Sequence, residues 1–146
     1  MAQAKTFRRS GLRLLLGDGA TPEGFAAPCG LLERAITLSK ELGETNVPDC
    51  ADEDAAPWTE RDVTSKSASI EGSGVLDADA LPIWQGFYDD DGSRNCRIEL
   101  WRNGAKVGHW QGSFHIETFN PAAPEEGRVT LEISLQSDGA VVWSPV

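Results

Sequence analysis

Two strands with alternating side chains flank a long acidic segment in the first half of the chain. Apolar and polar residues alternate over residues 36–39 and again over residues 65–75, which is typical of half-buried β-strands. Residues 43–64 show neither a helical period nor sustained alternation, and this predicts a 22-residue loop. Compact domains rarely carry so long an irregular connection unless it binds a partner or stays disordered. We therefore expect the loop to be mobile in an isolated chain and to order against another protein.

This predicted loop mixes apolar anchors with acids, a pattern that suits docking rather than catalysis. The N-terminal residues 1–16 have the opposite sign, since they contain four bases and no acid. Such asymmetry fits an intramolecular contact, two solvated faces, or contacts between subunits of a self-assembling protein. The third alternative gives the following inter-subunit candidates: Arg8, Arg9, Arg13, Val47, Asp52, Glu53, Asp54, Trp58, Glu60 and Asp62.

The net charge of -10 argues against several classes of partner. Nucleic-acid recognition and docking on anionic lipid both need a basic surface. No apolar run approaches the ~20 residues of a membrane span, and residues 14–16 are too short for a signal-peptide core. We expect no membrane partner and a cytosolic place of synthesis, where the three cysteines would be reduced thiols.

Residues that could carry chemistry do not converge. His109 and His115 share strand parity and would lie ~20 Å apart at ~3.4 Å per residue. Residues 89–92 resemble a calcium loop, but Phe87 and Ile98 stand where its first and last carboxylates belong. Ser73 lacks the sequence frame and the neighbouring base of a nucleophilic serine. We expect no enzyme, no catalytic residue, no metal and no cofactor.

Periodicity and turn residues predict the other elements. A first strand covers residues 7–16, after a flexible N-terminal segment at about residues 1–7. A helix follows residue 76, where Asp79 is the expected cap and Leu81, Trp84 and Tyr88 form the expected buried stripe. This is the one substantial helix that we predict.

The second half of the chain reads as β-hairpins. Asn103-Gly104 predicts a tight turn that pairs Leu100 with Val107, unless a bulge near Gly108 or Gly112 shifts the register. Strands at residues 128–136 and 140–143 complete the pattern. The expected fold is mainly β: an antiparallel β-sandwich or flattened barrel with one flanking α-helix and a long loop. Residues 1–146 would form a single domain.

The element order, together with residues 34–39 and 58–75, resembles the major tail tube protein of long-tailed bacteriophages and gene transfer agents. The resemblance implies a protein that forms stacked rings, usually hexameric, of a hollow tail through which DNA passes as cargo. Its partners would be copies of itself and other tail proteins. Its location would be the virion tail, and the cytoplasm of the bacterial host during assembly. The long loop and the N-terminal segment would reach across subunit boundaries.

Three other interpretations remain open at the level of sequence. The tube protein of a contractile injection or type VI secretion machine would share this architecture. A tail-terminator or head–tail connector protein would share the setting. A carbohydrate-binding β-sandwich would instead need several of the five tryptophans exposed in a row.

Overall fold

The computed structural model describes residues 2–19 and 23–146 of the chain. In chain order the elements are a 3-10 helix (Arg9–Gly11), β1 (Leu12–Gly17), β2 (Phe25–Ala26), β3 (Leu31–Val47), β4 (Trp58–Val75), α1 (Leu81–Asp89), β5 (Arg94–Arg102), β6 (Ala105–Ala122) and β7 (Thr130–Pro145). The seven strands form one antiparallel sheet in the order β2-β1-β5-β6-β7-β4-β3. The predicted mainly β, antiparallel fold with a flanking helix is confirmed.

The sheet curls so that one of its faces encloses the core. β1 and β3 lie near opposite ends of the strand order and nevertheless contact each other, as in a flattened barrel. Leu131, Ile133 and Leu135 of β7 alternate into this core, which is the pattern expected of a strand with one wet face. The helix covers the core with Trp84 and Phe87, which are 0% and 1% exposed.

The prediction of a loop over residues 43–64 is wrong in its boundaries. β3 continues to Val47 and β4 begins at Trp58, so only residues 48–57 connect the two strands. Alternation is lost because both faces are exposed beyond the core, and a bulge between Glu41 and Leu42 shifts the pairing by one residue. We call residues 38–68 the arm, and residues 47–58, from Val47 to Trp58, its tip.

The helix begins and packs differently from the prediction. Its N-cap position is Ala80 rather than Asp79, and the Asp77 backbone carbonyl accepts the N–H of Leu81 at 3.0 Å. Of the predicted stripe only Trp84 is buried, while Leu81 is 38% and Tyr88 is 57% exposed. Trp84 and Phe87 face the sheet together because residues three apart share one side of a helix.

The Asn103-Gly104 turn is confirmed, and of the registers left open beyond it the structure has the one shifted by a bulge near Gly108. Asn103 and Gly104 adopt φ values of 53° and 78°, as a tight two-residue hairpin turn requires. A bulge between Leu100 and Trp101 then pairs Leu100 with Gly108 instead of Val107. Val107 is consequently exposed. The first strand begins at Leu12 rather than at residue 7, because the 3-10 turn precedes it.

Candidate interaction surfaces

The tip of the arm gathers five of the predicted inter-subunit residues. Val47 and Trp58 are cross-strand partners that close the arm, and they are 39% and 85% exposed. Asp52, Glu53 and Asp54 follow in the turn, where all three are exposed and the Asp52 carboxylate accepts the Asp54 N–H at 3.2 Å. The structure thus places an exposed indole at the base of a turn that carries three exposed carboxylates.

Glu60 and Asp62 extend this acidic surface along β4. They lie opposite Thr45 and Gly43 of β3, on exposed positions close to the tip. The alternation of the strand turns the intervening Arg61 to the other side, where its Nε lies 3.3 Å from Glu44 Oε1. Both members of this pair are more than half exposed, so it contributes little to stability.

The three predicted basic residues lie where β1 begins. Arg8 is the exposed N-cap of the 3-10 helix and Arg9 is its exposed first residue. The Arg13 guanidinium lies 4.5 Å from the centre of the Trp101 ring. Burial lowers the pKa of Arg34 on β3, and the charges of Arg9 and Arg13 lower it further. Arg34 therefore lies near these two arginines. Sequence reasoning missed Arg34, since only the approach of β3 to β1 brings it there.

The basic group and the acidic tip do not meet within one chain. Across residues 2–19 and 23–146, no hydrogen bond or ion pair joins Arg8, Arg9 or Arg13 to an acid of the arm or its tip. The intramolecular contact considered from the charge pattern is therefore not formed. Both groups face solvent and are available to other molecules.

A second acidic surface covers the outside of β3, β4 and β7. Outward positions alternate with the buried ones, and those at residues 33–41, 65–73 and 132–136 carry only acidic, small or neutral polar side chains. Many are serines or threonines that bond to the acids, as Ser73 Oγ does to Glu33 Oε2 at 3.4 Å. We call this surface the acidic face; its acids are Glu33, Glu41, Glu71 and Glu132, with Glu117 of β6 bonded to Gln136 at 2.7 Å.

The histidines and cysteines lie in separate environments. His109 Nδ1 is buried without a hydrogen-bond partner, and burial, with the charges of Lys106 and Arg97, lowers the pKa of His109. His115 Nε2 lies 3.2 Å from Asp138 Oδ2 on the surface. All three cysteines are free, and burial raises the pKa of Cys96 to about 12. Within the described part of the chain, no three His, Cys, Asp or Glu side chains are arranged to hold a metal ion.

Comparison with known families identifies the family of the protein that carries these surfaces. Residues 11–143 match the family model of phage tail tube proteins. The chain belongs to the phage tail tube protein family. It is therefore a structural protein of a tail tube, and its location is the tail. The resemblance read from residues 34–39 and 58–75 is confirmed. A search of curated proteins found no significant match.

Solved structures agree with the fold of a tail tube protein. The chain superimposes on a protein in the tail of an empty gene transfer agent particle with a TM-score of 0.78 at 23% identity, covering 95% of this chain and 99% of that one. On the SPP1 tail tube protein the TM-score is 0.66 at 18% identity, covering 97% of this chain and 80% of that one. On a chain of the sheath–tube complex of an extracellular contractile injection system, PVC, the TM-score is 0.65 at 13% identity, covering 97% of this chain and 93% of that one.

The alternative functions receive less support. The tryptophans do not form the exposed row that a carbohydrate platform needs: Trp84 is buried, Trp58 stands alone on the arm, and Trp110 packs against Trp143 with ring centres 4.6 Å apart. The contractile system shares the fold at lower identity, and the family match is to phage tail tubes. In the described residues, no helix is long and apolar enough to cross a membrane.

Proposed function

We propose that residues 1–146 act as one domain that forms closed rings, six subunits to a ring, and that these rings stack head-to-tail into a hollow tube. The family match carries this proposal. The related tail of the gene transfer agent particle has C6 symmetry, which supports the ring number. Contacts between two different surfaces of one protein generate either closed rings or open stacks. The protein would assemble in the host cytoplasm, join other tail proteins, and need neither catalysis nor a cofactor.

We propose further that the acidic face lines the lumen and that DNA passes over it as non-specific cargo. Phosphates bind to basic side chains, and none of the outward positions at residues 33–41, 65–73 and 132–136 is a lysine or an arginine. Short serines and threonines would leave the wall smooth. Repulsion between carboxylates and phosphates acts over about 8 Å at physiological salt, so it would keep DNA from adhering.

We propose that the tip of the arm meets the basic start of β1 on another subunit. Exposed ion pairs contribute only about 0–1 kcal/mol each, so no single pair would dominate. Several pairs around a ring would fix register and assembly rate, while burial of Trp58 and Val47 supplies most of the affinity. The residues of this contact are Arg8, Arg9 and Arg13 on one subunit, and Val47, Asp52, Glu53, Asp54, Trp58, Glu60 and Asp62 on the other.

Electron microscopy of concentrated protein tests the assembly. Tubes of stacked rings are the expected result, and a protein that stays monomeric at high concentration and low salt would overturn the proposal. Reversing Arg8, Arg9 and Arg13 together to Glu should slow or block tube formation while the monomer stays folded. Arg128→Glu, an exposed arginine outside the proposed contact, is the control for charge alone.

Co-sedimentation of tubes with short duplex DNA tests the lumen. Wild-type tubes should leave the DNA in the supernatant, whereas tubes of Glu71→Lys/Glu132→Lys should retain it. Glu125→Lys, on the exposed connection between β6 and β7 and outside the residues of the acidic face, is the matched control and should not retain DNA. Retention by wild-type tubes, or equal retention by the control, would contradict the assignment of the acidic face to the lumen.

A further inference from the structure

The underside of the arm carries two lysines that face each other. Lys40 of β3 and Lys66 of β4 are direct cross-strand partners, and both are exposed. In the part of the chain that the structure describes, neither lysine forms an ion pair or a hydrogen bond. Like charges directly opposite each other destabilise a strand pair. The isolated chain therefore holds an uncompensated positive site on a protein whose net charge is -10.

These lysines line a groove together with apolar side chains. β4 pairs with β7 only from Ser69 onward, and the Ser137 hydroxyl accepts the Ala68 N–H at 2.9 Å where the two strands separate. The arm and the end of β7 diverge from that point and leave a groove of about 600 Å³. Leu38, which is 54% exposed, and Val141 line it beside the lysines. Its occupant should therefore combine an apolar group with negative charge.

The end of the helix has the complementary chemistry. Asp89, Asp90 and Asp91 follow one another at the C-terminus of α1, where the helix dipole already places negative charge and no basic residue lies in the last turn. Asp89 and Asp90 accept hydrogen bonds from neutral donors, the Gln85 side chain at 2.9 Å and the Gly92 N–H at 3.0 Å. Tyr88 stands beside them, 57% exposed. Residues 88–91 thus present an aromatic ring next to three carboxylates.

We propose that the arm groove of one subunit holds residues 88–91 of an adjacent subunit. This inference rests on the proposed self-assembly and names a second contact for it, distinct from the tip. The phenol ring of Tyr88 would lie against Leu38 and Val141, and the carboxylates would neutralise Lys40 and Lys66. Within one chain, no hydrogen bond or ion pair between described residues joins the helix end to the arm. The contact is therefore between copies.

This docking would reduce the charge repulsion within two groups at once, the lysine pair and the aspartates at the helix end. The lysine pair is unfavourable for the arm, and the aspartates are unfavourable for the helix end, so each group destabilises the free chain. The tip is also acidic, but its acids have the basic start of β1 as their proposed partner. Charge reversal distinguishes the two possible occupants of the groove.

A charge-swap series with the full-length protein tests the contact. Lys40→Glu/Lys66→Glu should raise the critical concentration for assembly at least tenfold without lowering Tm, and Asp89→Lys/Asp90→Lys should do the same. The four changes combined in one chain should restore assembly. Lys40→Glu/Lys66→Glu combined with Asp52→Lys/Glu53→Lys at the tip is the control and should not restore it. Normal assembly of Lys40→Glu/Lys66→Glu, or rescue by the tip reversal instead, would overturn the proposal.

Cross-linking separates this inference from the proposed function. In a Cys29→Ser/Cys50→Ser background, Lys40→Cys with Tyr88→Cys should give disulfide-linked oligomers under mild oxidation at high protein concentration. The control pairs Lys40→Cys with Gln85→Cys, which is exposed one turn earlier on α1, and it should give severalfold less of the disulfide-linked oligomers. If wild-type protein forms tubes and the cross-link does not appear, the helix contact is wrong while the tube stands. If no tubes form, the proposed function fails, and the cross-link still decides whether this contact exists.

Discussion

Trp58→Ala tests the arm most directly, because the side chain does almost nothing for the isolated fold. The indole is 85% exposed and closes the arm only with Val47. Surface substitutions of this kind change the free energy of unfolding by about 0.5 kcal/mol or less. For a chain of this size we therefore expect Tm to change by about 2 °C or less.

The effect on assembly should be much larger. A tryptophan side chain buries about 200 Å² in an interface, so the 85% that is exposed corresponds to about 170 Å². At about 25 cal/mol per Å² this surface contributes up to about 4 kcal/mol per contact. Ordering of the tip consumes part of that gain. We expect Trp58→Ala to raise the critical concentration for tube formation by at least about tenfold, which is about 1.4 kcal/mol.

Sedimentation of a concentration series measures this, with thermal unfolding of the unassembled protein alongside it. Val146→Ala is the control, since Val146 is also 85% exposed and apolar but lies far from the tip in sequence and outside the proposed contact. An unchanged critical concentration for Trp58→Ala would refute the docking of the tip. An increase of the same size for Val146→Ala would show that the loss is not specific to the arm.

Three further predictions concern the fold and the assembled state. Gly74→Ala should lower the free energy of unfolding by about 1–3 kcal/mol in denaturant titration, because a Cβ there would overlap the Gly30 carbonyl and the backbone at the start of β3. Gly86→Ala, with open space around it on α1, should raise the free energy of unfolding by about 0.5–1 kcal/mol. Thiol alkylation should label Cys50 in the free protein and much more slowly in tubes, and it should spare Cys96 in both, because burial raises the pKa of Cys96 to about 12. Burial and two nearby cations lower the pKa of His109, so stability should decrease as pH falls below about 6.5, where the unfolded chain gains a proton that the folded one resists. His109→Gln should flatten that decrease in a pH series of unfolding midpoints, and an unaltered slope would contradict the assignment.

The sequence predicts elements well where a local rule acts, and poorly where only long-range pairing does. Asn103-Gly104 is identifiable because the turn needs positive φ at two successive residues. The bulge opposite Leu100 has a weaker signal, since the glycines allow it near either Gly108 or Gly112 and no local rule chooses between them. In the structure Gly108 lies against the Trp143 ring of a third strand. The arm resembles a loop in sequence because strands outside a core have no buried face to impose alternation.

The residues of the candidate surfaces can likewise be predicted where they are contiguous in sequence, and not where strand pairing brings them together. The charges of the tip and of the N-terminal segment are contiguous in sequence, and composition alone is enough to select them. Arg34 cannot be selected in this way, because it reaches Arg9 and Arg13 only when β3 closes on β1. Lys40 and Lys66 become neighbours only in the register of the β3–β4 hairpin. Because the sequence predicts a loop between these strands, it gives no pairing from which the neighbouring lysines could be recognised.

Register gives the arm two chemically different faces from one stretch of sequence. On β3, Lys40 stands between Ser39 and Glu41, and successive side chains of a strand point to opposite faces. The serine and the glutamate thereby join the acidic face, while the lysine joins the groove on the underside. A slip of one residue would exchange these roles and place the lysine on the acidic face, which we propose lines the lumen. The pairing of Ile36 with Ile70, whose side chain is 1% exposed in the core, anchors the register at the base of the arm. The core that stabilises the subunit therefore also decides which side chains of the arm lie on the acidic face and which lie in the groove.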